Sequence, residues 1–304
     1  MSDNRNLWDA VKGFQDAMQQ HGLGLHDVSD KVDAGIQRVR HPDDNRGSKN
    51  IYFEVFSLPI PAGYYGDFKR GIYETWCFKD KKELSFEERK AFAIQLKESK
   101  QRRKEEQEKR YEDARKRALT IWNGCYPASS NHPYAKAKRM GTKGLRQGRA
   151  GLVVPLYQNK QISTLQFIND KGDKKFLTGG KIKGSYFIWG NIKKPFDTVY
   201  VAEGISSGFA VHVLADYAPV FSAMNASNLQ NVACSIRRKW VEKNIIIAAD
   251  NDVRKDDNAI NTGVKYANEA AQAVNGTVAV PTSPDGSKCD WNDLYVNALE
   301  GVKL

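Results

Sequence analysis

The chain has 304 residues, 40% hydrophobic and 27% charged, which is ordinary globular composition with length for two domains, or for one large domain with an appendage. No apolar run approaches the ~20 residues needed to span a bilayer, and the N-terminus is polar, with Asp3 where a signal peptide is basic; a soluble, cytoplasmic protein with no membrane partner is expected. The net charge of +11 favours a polyanionic partner, because each neutralised phosphate releases condensed counterions.

In chain order, Leu7, Trp8, Val11, Phe14 and Met18 are read onto one helical face over residues 7–21, and Gly22 is a stop signal. Strand signals follow, including 51–58, punctuated by Pro59, Pro61, Gly63, Gly66 and Gly71. Arg38, Arg40, Lys69 and Arg70 alternate there with Tyr52, Phe53, Tyr64, Tyr65, Tyr73 and Trp76. A small antiparallel element is expected, its aromatics serving either as its own core or as a grip on single-stranded nucleic acid. Ser85 and Glu88 form a capping box that opens a helix over 86–122, whose almost wholly charged middle reads as a solvated spacer. Residues 123–150 are loop-rich and basic, and 152–190 hold two strands around a turn near 158–160, then a glycine-rich stretch. From Thr198 short β-branched runs alternate with helical segments (TVYVA, PVFSA, NIIIAA, TVAV), the signature of a parallel sheet with crossover helices.

The four cysteines, Cys77, Cys125, Cys234 and Cys289, form no CxxC pair and have no histidine at ligand spacing, so no zinc is expected. Acids are another matter. Glu203 directly follows TVYVA, Asp250 and Asp252 directly follow NIIIAA, and Asp290 and Asp293 follow TVAV after a loop. In a parallel α/β sheet ligands bind beyond the carboxyl ends of the strands. Like charges gathered there are costly unless a cation is present, and magnesium takes one or two carboxylates plus substrate phosphates. The alternative is a set of solvated helix N-caps, positions that Asp also favours.

Glu203-Gly204 and Asp250-Asn251-Asp252 on these strands resemble the TOPRIM family of primases, topoisomerases and nucleases. DWNDL at 290–294, HPYAKAKRM at 132–140, GLR at 144–146 and the two strand segments over 152–190 resemble plasmid and phage primases. The likeness spans roughly 50–300. It implies an α/β (α+β overall) chain: an N-terminal α+β module (1–84) with a template-binding role, a charged linker helix (85–122), a basic α+β primase-core subdomain (123–197) and a TOPRIM domain (198–304). It further implies a DNA primase making RNA primers in plasmid or phage replication, in the cytoplasm of a bacterial host cell. Glu203, Asp250 and Asp252 would be catalytic and, with Asp290 and Asp293, would hold Mg2+ or Mn2+. Lys138, Arg139, Arg146, Lys175, Lys181 and Lys183 would bind phosphates. The partners implied are single-stranded DNA, ribonucleoside triphosphates and a separate replicative helicase or other replication protein, since no GxxxxGK[ST] loop is present. A TOPRIM nuclease and a non-catalytic single-stranded nucleic-acid-binding protein are the rival readings.

Overall fold

The computed structural model describes residues 2–57, 60–79, 84–252, 261–283 and 287–301. They fall into two compact units, residues 1–105 and 106–304. The predicted strand end at 58 and helix start at 258 lie outside the described residues.

In the first unit α1 (Ser2–Gln20) precedes an antiparallel meander of β1 (Gln37–Val39), β2 (Ile51–Phe56), β3 (Ala62–Asp67) and β4 (Ile72–Cys77), in that spatial order. The helical stripe read from the sequence is the reason they pack: Val11, Phe14 and Met18 are buried against Ile51, Phe53, Val55 and Tyr65. Trp8, read onto the same face, lies outside this core, 67% exposed. Phe14 meets Tyr65 and Trp76 edge-on at centroid distances of 5.4 and 5.5 Å. Gly63 is required by this contact, since a Cβ there would lie 2.6 Å from the Phe14 ring. Of the aromatics read from the sequence, Phe53 and Tyr65 are core, whereas Tyr73 is 61% exposed; Phe68, beside them, is 60% exposed.

Helix α2 (Phe86–Asn123) opens with the expected box, Glu88 N–H donating to Ser85 Oγ and Ser85 N–H to the Glu88 carboxylate. It is less solvated than its charge suggests. In the first unit Arg102 reaches the buried Glu54 at 3.3 Å and Arg103 donates to Tyr64 Oη at 2.6 Å. Further along, Ala114 and Ala118 are fully buried, and Ala118 shares a core with Val153, Ile162 and Leu165 of the second unit. Leu119, Ile121 and Trp122 pack against the same core and seat the end of the helix on the sheet.

The second unit begins with β5 (Tyr126–Pro127), α3 (Pro133–Ala137), β6 (Arg146–Gly148), β7 (Gly151–Gln158), β8 (Gln161–Ile168) and β9 (Lys174–Phe176). The strands form an antiparallel sheet in sequence order. The β7–β8 hairpin turns on Asn159 and Lys160, both at positive φ (50° and 64°), the conformation of a two-residue hairpin loop.

Then follow β10 (Phe187–Trp189), β11 (Thr198–Ala202), α4 (Ile205–Leu214), β12 (Val220–Ser222), α5 (Leu229–Lys239), β13 (Asn244–Ala248), α6 (Thr262–Val274), β14 (Thr277–Ala279) and α7 (Trp291–Leu299). Their sheet has the order β10-β12-β11-β13-β14; β12, β11, β13 and β14 are parallel, as the alternating runs predict. The edge strand β10 is antiparallel and comes from the segment assigned upstream of residue 198. A backbone bridge between Tyr157 and Tyr186 links the two sheets, and one core runs from Leu152 and Val154 through Phe187 and Trp189 to Ala202 and Ala248. A line at 197/198 therefore leaves β10 on the far side from the rest of its sheet and runs through one shared core.

Candidate metal and phosphate site

Register puts the acids together. Ala202 pairs with Ala248 across β11 and β13, so Glu203, one residue past β11, and Asp250, two past β13, leave the same sheet edge. An isolated bridge ties in the third segment: Asn251 and Cys289 exchange N–H···O bonds of 3.0 and 3.2 Å, which brings Asp290 beside them. Trp291 Nε1 donates to the Ala249 carbonyl at 2.9 Å and fixes the approach of α7.

The carboxylates are short of partners. Among the described residues, one Glu203 oxygen (Oε2) and one Asp250 oxygen (Oδ1) are buried with no hydrogen-bond partner. Asp250 Oδ2 accepts a 3.4 Å bond from the Ser207 hydroxyl. Burial first, then the charges of Glu203 and Asp290, pushes the Asp250 carboxyl up to about 7. Burial and Asp252 raise Glu203, while Lys174, Lys288 and the Ala226 amide oppose the rise. Asp252 is paired with the Lys288 ammonium at 2.5 Å.

Unpaired buried carboxylate oxygens and self-repelling acids are what a divalent cation relieves, so the residues present fit one. Among the described residues no three ligand-type side chains are close enough to form a ready-made cage. Magnesium does not require one, because it keeps waters and takes substrate phosphates as ligands.

Other predicted residues are spread more widely. Asp290 caps α7 and Asp293 closes the capping box: Asp290 N–H donates to Asp293 Oδ2 at 3.0 Å and Asp293 N–H to Asp290 Oδ1 at 2.7 Å. Asp293 is exposed and tied to the cap. Lys138 ends α3 with its ammonium 3.9 Å from Asp290, and Asn292 donates to its carbonyl. Arg139, at positive φ, points to Glu300 at 3.8 Å.

Arg146 departs from the phosphate-binding expectation: it donates to the Trp122 carbonyl at 2.5 Å and lies 4.5 Å over that ring, clamping α2 to β6. Lys175 is exposed on β9, but it is the neighbouring Lys174, not singled out from the sequence, whose charge acts on Glu203. Lys181 and Lys183 line a separate groove along α5.

Ser206 and Ser207 lie in the first turn of α4 and do not cap it. Gly204 is the N-cap, without a side-chain bond; Ser206 accepts from Tyr134 Oη at 3.2 Å and Ser207 turns to Asp250. Gly263 answers a constraint the sequence left unseen, since a Cβ there would lie 2.4 Å from the Asp250 carbonyl oxygen.

The family model of the Toprim domain matches residues 198–300. That segment is a Toprim domain, as the Glu-Gly and Asp-x-Asp signatures imply. Toprim domains bind divalent metal ions, which agrees with the bare carboxylate edge. Beyond the Toprim domain, the chain is 24% identical over 300 residues to a DNA primase TraC of Escherichia coli, covering 92% of this chain and 27% of that protein. A second Escherichia coli DNA primase TraC is 26% identical over 284 residues, covering 88% of this chain and 19% of that protein. The chain thus spans about a quarter or less of the length of these curated relatives. Among solved structures, the primase fragment of the bacteriophage T7 primase-helicase protein is similar over 58% of this chain and 71% of that fragment, with TM-score 0.40 and 20% identity. No described helix is long and apolar enough to cross a membrane.

Proposed function

We propose that this chain is the catalytic core of a plasmid- or phage-type DNA primase, which joins ribonucleotides into short primers on single-stranded DNA. The carrying observation is the edge of the Toprim sheet, where Glu203 and Asp250 hold buried oxygens without partners beside Asp252. The similarity to DNA primase TraC over most of the chain favours polymerisation over the nuclease and binding-protein readings.

Asp250 and Asp252 would hold Mg2+ or Mn2+, with Asp290 at the margin. The ion supplies charge compensation for the triphosphate and for the departing pyrophosphate. Glu203, whose proton affinity is raised by burial, suits a general base. It takes the proton from the primer 3′ hydroxyl as the new O–P bond forms and pyrophosphate leaves. Ser207 orients Asp250, while Lys138 and Lys174 lie where phosphates of substrate would approach the acids.

Residues 1–84 would assist with template. Tyr52 lies tilted against Phe68 with ring centroids 4.3 Å apart and Arg38 lies over the Phe68 ring at 4.9 Å, a basic and aromatic surface suited to single strands. Unwinding would fall to a separate helicase or other replication protein, and the setting would be the cytoplasm of a bacterial host.

The test is labelled-ribonucleotide incorporation on single-stranded circular DNA with Mg2+ or Mn2+, comparing the wild type with Asp250→Ala. Short products from the wild type alone are expected. Metal-dependent loss of the template without products would establish the nuclease instead.

A further inference from the structure

Lys160, Lys181, Lys183, Arg238 and Lys239 line one groove of about 630 Å³, and no acidic side chain lines it with them. Among the described residues none of the five is in an ion pair. Lys181 Nζ also lies 5.7 Å from the Tyr111 ring centroid and Lys239 Nζ 4.0 Å from that of Trp240; cations gathered along one groove without a counter-ion repel one another unless an anion lies between them.

The groove has two walls. One is α5, where Asn231, Ser235 and Arg238 follow i, i+4, i+7 spacing on a single face, a span of about 10 Å. The other is the β7–β8 hairpin tip with the loop at 181–184. Asn228 locks that loop in place: its Oδ1 accepts from Gly184 N–H at 2.7 Å, and its Nδ2 donates to the carbonyls of Ser185 and Ala223 at 2.9 and 2.8 Å. Gly184, at φ 75°, leaves its backbone open to close approach.

Helix-dipole compensation does not account for this charge. It would explain cations in the last turn of α5, but not Lys160, Lys181 and Lys183 facing them. Nor is Arg238 a structural clamp. That part belongs to Arg237, which donates to the carbonyls of Val274, Val241 and Lys243.

We propose that this groove holds the sugar–phosphate backbone of single-stranded DNA, with the α5 face as its second wall. Calling that DNA the template rests on the primase reading; the binding itself does not. Tyr186, the aromatic residue of the lining, is packed edge-on against Phe221 at 4.8 Å, so the grip is on phosphates and is indifferent to base sequence.

Fluorescence anisotropy of labelled oligodeoxynucleotides with the full chain in EDTA, over a salt series, tests this independently of metal and of synthesis. Removing one cation that neutralises a phosphate should lower the slope of log K against log salt by about 0.7. Arg238→Ala/Lys239→Ala should therefore lower it by about 1.4 and weaken low-salt binding about tenfold. Ser235→Glu should weaken binding likewise, Arg238→Lys should keep the wild-type slope, and poly-dT and mixed sequences should bind alike. Melting curves matching the wild type establish that the variants are folded. Wild-type slope and affinity in both the double variant and Ser235→Glu would overturn the groove, as would a strong base preference that disappears with the same residues. An RNA oligonucleotide held more tightly by these residues would overturn the assignment to DNA. If primer synthesis is absent while these variants still lose DNA binding, the groove stands and only the primase reading falls.

Discussion

The Lys288 ammonium lies 2.5 Å from Asp252 Oδ1, and the charges of Asp250 and Asp290 add to its hold. Lys288 thus supplies positive charge to the carboxylate edge when no other cation is there. A metal ion bound at Asp252 must compete with it. Lys288→Met should tighten Mn2+ binding, by up to about fivefold since the pair is largely exposed. Titration calorimetry on the nucleotide-free protein measures this. Weaker binding in the variant would mean that Lys288 supports the ion and does not compete with it.

The metal-free protein should lose stability as pH rises. Asp250 is pushed to about 7 in the fold, against about 3.9 in an unfolded chain. Between those values the folded state holds a proton that the unfolded state has released, so stability falls across this window and levels above it. Asp44 and Glu88, lowered to about 2 by Lys69 and Lys79 respectively, act in the opposite sense but only below about pH 4.5. Melting temperatures in EDTA should therefore drop from pH 5 to pH 8, Asp250→Asn should flatten the profile, and added Mn2+ should restore stability at pH 8.

Asn228→Ala should be severe. The side chain is 2% exposed and its amide joins the 182–185 loop to Ala223. Removing it strands buried backbone groups, at a cost of about 2–4 kcal/mol. Urea denaturation measures the loss, and a cost under about 0.5 kcal/mol would mean that water replaces the amide without penalty.

Asp293→Ala separates capping from metal binding. If Asp293 serves the start of α7, the variant should melt about 1–3 °C lower with Mn2+ affinity unchanged. A marked loss of affinity would return Asp293 to the ligand set.

Much of the Toprim sheet was legible because its signals are local. TVYVA and NIIIA are β-branched runs, and both became strands with their acids one or two residues beyond. The Ser85–Glu88 box is likewise a four-residue pattern. What escaped depends on distant partners. Arg146 looks like any cation of a basic segment until the Trp122 carbonyl is placed beside it. Lys174 differs from Lys175 only in which way a short strand faces. Asn228 reads as a turn residue, and its amide bonds, 43 to 46 residues back along the chain, leave no trace in periodicity.

The antiparallel β10 strand has a consequence for inheritance. Phe187–Trp189 borders the Toprim sheet along β12 yet precedes the segment that the family model delimits. A recombination or fusion respecting the boundary at 198 would part the sheet from its own selvage and leave β12 as a raw edge, able to template pairing with a foreign chain. The portion that can be transplanted intact must begin upstream of Phe187, so the modular unit of this fold is larger than the domain by which it is recognised.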